Sequence, residues 1–237
     1  MADVDARLHE SWTVNAAAWT SAVRGGHIAS RRAGTDDAVL AACAAVLSET
    51  DPGQGRRPRV LDVGCGEGWL ARALATPTVD VLGVDGSAPL VAAARAHEAP
   101  TAARFAVATY HELTDDAECA PGPWDLVVCN FSLLGHPLAP LLASLADRLA
   151  PTGRLVIQTV HPWTVATDGP YEDGWREEDF AAFAQPFPSP MPWYARTMAS
   201  WVNELSAGGL RIVRMVEPAH PDGGRPLSLL LLAARAE

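Results

Sequence analysis

Three alternate glycines follow a short apolar run in the first third of the chain. The run 60–63 leads into Gly64, Gly66 and Gly68, and a helical pattern starts at Trp69. Glycine lets the backbone turn tightly and lets a ligand approach without a Cβ in the way, while the start of a helix offers unpaired N–H groups. A strand, a glycine loop and a helix in this order predict a binding site for an adenosyl ligand.

A carboxylate stands where such a ligand would need one. Asp85 ends the next apolar run, about 20 residues after the first glycine, and it is suited to accept hydrogen bonds from both ribose hydroxyls. The GxGxxG pattern of dinucleotide-binding proteins requires a glycine at position 69, which is Trp69 in this chain. The spacing therefore disfavours a nicotinamide dinucleotide.

The segments DVGCGEG and GVDGS resemble motif I and the adjoining acidic motif of class I S-adenosylmethionine-dependent methyltransferases, in their small-molecule branch. The similarity covers roughly residues 35–235. It implies S-adenosylmethionine as the cofactor and a Rossmann-like α/β fold, whose parallel sheet ends in an antiparallel hairpin and carries helices on both faces. The motif residues that the resemblance places at the cofactor are Asp62, Gly64, Cys65, Gly66, Gly68, Asp85 and Gly86.

The resemblance also implies cofactor contacts beyond the two motifs. In the family, residues after the third strand flank the adenine, which corresponds to Thr109 and Tyr110 here. An Asp is common at that place and is missing in this chain, so the contact would come from a backbone group or from stacking by Tyr110. Asn130 and Phe131 follow the fourth strand and correspond to the segment that faces the methionine and its methyl group.

Three histidines follow predicted strands on the cofactor side and could serve as a general base, namely His111, His136 and His161. Methyl transfer from a sulfonium mainly needs positioning and exclusion of water, but an oxygen or ammonium acceptor must also lose a proton. Imidazole is suited to this task near neutral pH. We rank His161 above His136, because it directly follows the strand 155–160 and its ring is expected to emerge between the cofactor and acceptor pockets.

The elements that must position these residues alternate along the chain. Strands are predicted at 60–63, 79–84, 104–108, 126–129 and 154–160, and helices at 69–75, 87–97 and 138–149. Nearly continuous apolar strands separated by helices indicate a parallel sheet covered on both faces. No helix separates the apolar runs 210–216 and 227–233, so these two strands should pair antiparallel as a hairpin.

Two aromatic segments lie outside this alternation. They are residues 1–34 and the insertion 161–195, and they hold five of the eight tryptophans: Trp12, Trp19, Trp163, Trp175 and Trp193. We expect the first to be a mobile lid, ahead of a methyltransferase domain at 35–237, and the second to cover the substrate. Small-molecule members of the family use similar covers, which implies Trp19 over the cofactor and Arg31 near its carboxylate.

Composition restricts the partners. Lys and Arg total 18 against 28 Asp and Glu, and a net charge of -10 disfavours a nucleic-acid substrate. Cys43, Cys65, Cys119 and Cys129 lack the close spacing of a zinc or redox site, so they are interpreted as free thiols. No run approaches the ~20 apolar residues that span a bilayer. We expect a cytoplasmic protein, monomeric or homodimeric, without a membrane partner or a metal.

These observations predict metal-independent methyl transfer from S-adenosylmethionine to an oxygen or nitrogen of a small-molecule acceptor. Two alternatives stay open. A protein with the same loop could hold S-adenosylmethionine or S-adenosylhomocysteine without turnover, and a Rossmann-like domain could instead be a nicotinamide oxidoreductase.

Overall fold

The chain folds around one seven-stranded sheet. The computed structural model describes residues 2–50, 55–98, 102–116, 118–167, 169–183 and 185–236. The strands of this sheet are β1 (Arg59–Val63), β2 (Asp80–Asp85), β3 (Arg104–Val107), β4 (Trp124–Asn130), β5 (Leu149–Thr159), β8 (Leu210–Val216) and β9 (Leu229–Arg235). They lie side by side in the order β3-β2-β1-β4-β5-β9-β8. The first five are mutually parallel, whereas β9 runs antiparallel to both β5 and β8. The predicted parallel sheet with a terminal antiparallel hairpin is confirmed.

Both faces of the sheet are covered by helices, as the continuous apolar strands predicted. One face packs against α3 (Asp36–Glu49), α4 (Trp69–Leu74) and α5 (Ala88–Arg95). The other packs against α6 (Tyr110–Asp115), α7 (Ala139–Asp147) and α9 (Met198–Ala207). Side chains alternate between the two faces along each strand, so Val60 lies in the first core and Leu61 in the second.

The parallel strands bring the functional segments to one edge. In the register of the sheet, Val63 pairs with Val84, and Asn130 pairs with Gln158. The glycine loop, Asp85 and the residues after β4 and β5 therefore all leave the sheet at its carboxyl edge. That edge is where open α/β sheets bind ligands.

The two aromatic segments are more regular than their sequences suggest. The N-terminal segment forms α1 (Ala2–Val14) and α2 (Ala16–Arg24), followed by a segment (Arg31–Thr35) that is kinked at Gly34 and leads into α3. The insertion contains the short helix α8 (Pro162–Val165) and the antiparallel pair β6 (Gly174–Glu178) and β7 (Met191–Ala195). These elements were not predicted, and they pack on one another across the two segments, with Leu8 of α1 against Phe180 and Met191 of the insertion.

Candidate functional site

The glycine loop is tightly connected to the end of β2. The backbone N–H groups of Gly64 and Cys65 both donate to the carbonyl of Val84, at 2.8 and 3.0 Å. Gly64 and Gly66 have φ of 71° and 56°, in the left-handed region that favours glycine. A Cβ on Gly64 would lie 2.3 Å from Cβ of Ser132, so no other residue fits between β1 and the segment after β4.

Asp85 binds the glycine loop through its carboxylate. Its Oδ2 accepts a hydrogen bond from the N–H of Gly66, and its Oδ1 accepts one from the N–H of Ser87, both at 2.8 Å. Burial is the main cause that raises the pKa of Asp85, and these two N–H groups oppose it. Each carboxylate oxygen has taken one donor and keeps a lone pair for another. The adjacent Gly86 lies against His9 of α1, since a Cβ there would approach the imidazole Nδ1 to 3.4 Å.

Two buried acceptor atoms near the loop lack hydrogen-bond partners among the described residues. They are Oδ2 of Asp62 on β1 and Oδ1 of Asn130 at the end of β4. Burial, followed by the charge of Asp85, raises the pKa of Asp62 to about 7, although the N–H of Ala71 bonds to its carboxylate. Buried polar atoms are normally hydrogen-bonded, so unsatisfied acceptors at a sheet edge indicate a place for a donor group from outside the chain.

Hydrogen bonds hold the segments expected at the adenine and at the methyl group. Thr109 caps α6, and Glu112 occupies both its N–H and its hydroxyl, at 2.7 and 2.8 Å. Tyr110 donates its hydroxyl to the carbonyl of Ser132, so its ring lies beneath the segment after β4. Phe131 has φ of 52°, an unfavourable value for a bulky residue, and its N–H bonds to the carbonyl of Gln158 at 2.7 Å.

Aromatic residues of the two cover segments meet above the loop. We call Trp12, Trp19, Phe180, Phe183 and Phe187 the aromatic cap. Trp12 and Trp19 meet edge to face at 5.1 Å, and the rings of Phe180 and Phe187 stack at 4.1 Å. Trp19 also faces the glycine loop, because a Cβ on Gly66 would lie 3.6 Å from its Nε1. Trp19 thus lies against the glycine loop, and its place over the cofactor stays a prediction.

Polar contacts join the N-terminal helices to the insertion and to the glycine loop. Asn15, between α1 and α2, is fully buried, and its amide exchanges two hydrogen bonds with the backbone of Ser189, at 2.6 and 3.1 Å. Arg24 of α2 binds the buried carboxylate of Glu67 at 2.9 Å, and Arg72 binds the same carboxylate at 2.7 Å. Glu67 lies inside the DVGCGEG motif, so its place in the sequence could have identified it as a site residue. No neighbouring residue or motif could have identified Asn15.

Arg31 lies beside the glycine loop but is already paired. Its Nε contacts both carboxylate oxygens of Asp36, at 2.8 and 2.9 Å, and its guanidinium lies 4.2 Å from the ring centroid of Trp69. Nε is therefore engaged, and a cofactor carboxylate would have to use the terminal guanidinium nitrogens. Cys65 is buried, with its side chain turned away from the cap towards β2, so it could contribute only backbone atoms.

The structure does not place the ring of His161 between two pockets, as the sequence had suggested. His161 is buried and caps α8, with Nδ1 accepting from the N–H of Trp163 at 3.1 Å. Its Nε2 lies 2.8 Å from Oε1 of Glu217, which follows β8. Both ring nitrogens are engaged, since the chain turns back at α8 and directs the imidazole towards the β8–β9 connection. His111 is exposed and pairs with Asp115 at 2.8 Å.

His136 lies beside Tyr194 and Glu204. Its ring stacks on Tyr194 of β7 with centroids 4.0 Å apart, and its Nδ1 is 3.4 Å from Oε1 of Glu204 on α9. Tyr194 also lines a small cavity of about 20 Å³, together with Phe131, Thr159, Trp193, Arg196 and Trp201. Of the other tryptophans, Trp175 packs edge-on against Tyr194, and Trp163 is exposed.

Arg196 and Glu204 were not identified from the sequence. The side chain of Arg196 is fully buried and donates to the carbonyls of Leu133 and Gly135, which fixes the segment after β4. Burial lowers its pKa to about 10, while Glu204 opposes the shift. A signal for Glu204 did exist, because it is a charged residue next to Trp201 and Leu205 on the apolar stripe of α9.

Sequence comparison places a known domain over the core of this site. Residues 60–153 match the family model described as a methyltransferase domain. The ubiquinone biosynthesis O-methyltransferase of Sodalis glossinidius is 34% identical over 118 residues, which are 46% of this chain and 46% of that protein. The protein of the same name from Photobacterium profundum is 35% identical over 108 residues, or 44% of each. The chain thus spans just under half the length of the curated relatives it matches.

Solved structures share the fold over most of the chain. An S-adenosylmethionine-dependent methyltransferase of Clostridium acetobutylicum has a TM-score of 0.64 at 14% identity, covering 93% of this chain and 98% of that one. One from Mesorhizobium loti has a TM-score of 0.58 at 24% identity, covering 81% and 96%. The magnesium protoporphyrin IX methyltransferase of Synechocystis, solved with bound SAH, has a TM-score of 0.56 at 21% identity, covering 86% and 84%. The architecture described above is the fold of these enzymes.

Proposed function

We propose that this chain, which carries a methyltransferase domain at residues 60–153 on the fold of S-adenosylmethionine-dependent methyltransferases, transfers a methyl group to an oxygen or nitrogen of a small-molecule acceptor. The observation that carries the proposal is the carboxylate of Asp85 beneath the glycine loop. It binds the N–H groups of Gly66 and Ser87 at 2.8 Å and keeps lone pairs for a ribose diol. The names of the curated relatives favour oxygen as the first acceptor to test.

The residues present fit the cofactor. A cationic methionine end needs acceptor atoms, and Oδ2 of Asp62 and Oδ1 of Asn130 are buried without partners among the described residues. Trp19 packs over Gly66, since a Cβ there would lie 3.6 Å from the indole Nε1, so a ligand that lies against the loop must displace this ring. We assign the methionine end to Asp62 and Asn130 and the ribose to Asp85. The adenine stays assigned to the edge at Thr109 and Tyr110.

When bound, S-adenosylmethionine supplies a sulfonium-bound methyl group that is displaced in line by the acceptor. The protein must then align the acceptor and keep water out. The described cavity of about 20 Å³ is far smaller than the ~300 Å³ of typical ligand sites, so it must enlarge to admit an acceptor, and we propose that this happens as the aromatic cap opens. Its closure would again exclude water, which supports the proposed lid role of the N-terminal segment and the insertion.

We propose His136 as the general base for an acceptor that must lose a proton. Its ring stacks on Tyr194, which lines the cavity, whereas both nitrogens of His161 are engaged by Glu217 and Trp163. The acceptor proton would pass to Nε2 of His136 as the acceptor forms its bond to the methyl carbon. His161 is then expected to stabilise the start of the insertion.

No helix among the described residues is long and apolar enough to cross a membrane. We propose a cytoplasmic location, because the four cysteines are free thiols, as is usual in a reducing compartment. A small-molecule acceptor and a monomeric or homodimeric state remain part of the proposal. The negative net charge of -10 argues against a nucleic-acid substrate.

The proposal is tested in two stages with the full chain. Titration calorimetry should show binding of S-adenosylmethionine and S-adenosylhomocysteine but not of NAD. Transfer of the isotope-labelled methyl group is then measured with panels of phenols, catechols, carboxylic acids and primary amines. Transfer to at least one panel member with release of S-adenosylhomocysteine supports the enzyme. Binding with no transfer throughout the panels would favour the cofactor-binding protein, and failure to bind either cofactor form would refute the assignment.

A further inference from the structure

The acidic side chain of Glu204 occupies a position that an apolar residue would normally fill. It lies on α9 between Trp201 and Leu205, both buried in the main core, and only 11% of its side chain is exposed. A buried carboxylate is costly unless hydrogen bonds and a counter-charge compensate it. The contacts of the two carboxylate oxygens of Glu204 therefore show what compensates its buried charge.

The two oxygens of Glu204 have different partners. Oε2 accepts hydrogen bonds from the N–H groups of Leu138 and Ala139, at 3.1 and 2.7 Å, and so caps the start of α7. Oε1 takes neither of them. It lies 3.4 Å from Nδ1 of His136 and 3.9 Å from Nε of Arg196. Oε2 of Glu204 therefore caps α7, whereas Oε1 lies near the imidazole of His136.

The surroundings hold the ring of His136 in that orientation. Tyr194 stacks against it with an interplanar angle of 9°, and the N–H of Tyr194 bonds to the carbonyl of Leu134 at 2.8 Å. Nδ1 is buried and makes no hydrogen bond of good geometry among the described residues; Oε1 of Glu204, at 3.4 Å, is its ion-pair partner, and 37% of the side chain is exposed. The charged groups around this loop are Glu204, Arg196 and the exposed Asp5 of α1, whose carboxylate is 3.7 Å from a Cβ placed on Gly135.

We infer that Glu204 is a positioning residue that keeps the proton of neutral His136 on Nδ1 and leaves the lone pair of Nε2 for the acceptor. A carboxylate attracts an N–H group and repels a nitrogen lone pair, so the contact at 3.4 Å favours the proton on the imidazole nitrogen that faces Glu204, and a small movement of the ring would complete the hydrogen bond. Nε2 then becomes the basic nitrogen, on the exposed side of the ring. This inference rests on the proposed function for the use made of Nε2, but the tautomer itself does not depend on it.

The substitution Glu204→Gln reverses the chemistry with little change in shape. The amide oxygen of Gln would accept the N–H groups of Leu138 and Ala139, which leaves its NH₂ facing Nδ1 of His136. A facing donor requires an unprotonated Nδ1, so the proton would move to Nε2 and remove the base. Asp5→Asn is the matched control, because it removes a carboxylate beside the same loop that does not face Nδ1.

The tautomer is measured directly by long-range ¹H–¹⁵N NMR of histidine-labelled protein at about pH 8.5, where imidazole is neutral. His136→Gln assigns the signal. We expect the Nδ1–H form in the wild type and in Asp5→Asn, and the Nε2–H form in Glu204→Gln. A wild-type Nε2–H form, an unchanged tautomer in Glu204→Gln, or the same change in Asp5→Asn would each overturn the inference. The wild-type spectrum decides even if Glu204→Gln fails to fold.

Kinetics separate this inference from the proposed function. With an accepted substrate, Glu204→Gln should lower kcat by ~10- to 100-fold at unchanged cofactor affinity. In the His136→Gln background it should change kcat less than about twofold, because the two residues act as a unit. A further tenfold loss in that background would contradict the positioning role. The expected tautomers with no transfer to any acceptor would refute the function and leave the Glu204–His136 pair intact.

Discussion

Replacement of Asp85 is the most direct test of the cofactor site. Its carboxylate accepts two backbone hydrogen bonds of 2.8 Å and, in the proposed site, both ribose hydroxyls. Hydrogen bonds to a charged group contribute about 1.5–3 kcal/mol each, and part of this is offset by hydration of the unbound carboxylate. We therefore expect Asp85→Ala to weaken binding of S-adenosylhomocysteine by roughly 2–4 kcal/mol, or ~30- to 1000-fold. Asp85→Asn retains one acceptor oxygen and should lose about 5- to 30-fold.

Calorimetric titration at fixed salt measures these losses. Asp80→Asn is the control, because Asp80 begins the same strand, is half exposed and pairs with Arg57 at 3.5 Å, away from the carboxyl edge. It should bind within twofold of the wild type. Near-ultraviolet circular dichroism shows whether each variant keeps its tertiary packing, since Asp85→Ala also removes the partner of the Gly66 N–H.

A ribose-specific measurement separates direct binding from damage to the loop. The wild type should prefer S-adenosylhomocysteine over its 2′-deoxy analogue by about tenfold, the value of one lost charge-assisted hydrogen bond. Asp85→Ala should bind both ligands with nearly equal affinity. If Asp85→Ala keeps the preference, or binds S-adenosylhomocysteine within threefold of the wild type, the carboxylate does not hold the ribose and the assignment is refuted.

Four further outcomes test the loop, the cap and the buried charge. Gly66→Val should abolish cofactor binding in calorimetry, because φ of 56° disfavours a β-branched residue and its side chain would approach Trp19. Asn15→Ala should lower the free energy of unfolding by about 1–3 kcal/mol in urea titration, since the backbone N–H and carbonyl of half-buried Ser189 lose their partner; a loss under ~0.5 kcal/mol would contradict a stabilising role of this contact. Deletion of residues 1–24 should leave a folded core by circular dichroism yet raise KM and lower kcat, as water enters the site; loss of folding would place these helices in the core. In the cofactor-free protein, Asp62 has a pKa raised to about 7, so its contribution to stability is lost as pH rises through 7; Asp62→Asn should raise Tm at pH ~8.5, by the equivalent of about 1–4 kcal/mol, with the gain shrinking towards pH ~4.

Much of the cofactor site could be predicted because its residues are adjacent in the chain or follow consecutive strands. The loop from Gly64 to Gly68 and the acid at 85 lie within one βαβ unit, and parallel strands necessarily deliver their ends to one edge. His161 was ranked above His136 for the same reason, its place after a strand. That reasoning could not foresee that α8 turns the imidazole towards Glu217.

The contacts that complete the site join residues far apart in the chain. Asn15 meets Ser189 across the cap, and His136 meets Glu204 across α7 and α9. No sequence pattern links the residues of either pair, because each contact depends on how separate elements pack. The charge of Glu204 beside Trp201 was a local signal, but its partners could not be read from it.

The layers of the protein and the place of the glycine loop could be predicted from the chain, because strand periodicity, glycine placement and the helix-free link between the last two strands are local properties. The neighbours of His136 could not be predicted, because they come from elements far away in the chain. Its ring is held by a stacking contact with Tyr194 and an ion-pair contact with Glu204. Those contacts are each about 1 kcal/mol in size and arise only once the sheet and the cap have assembled.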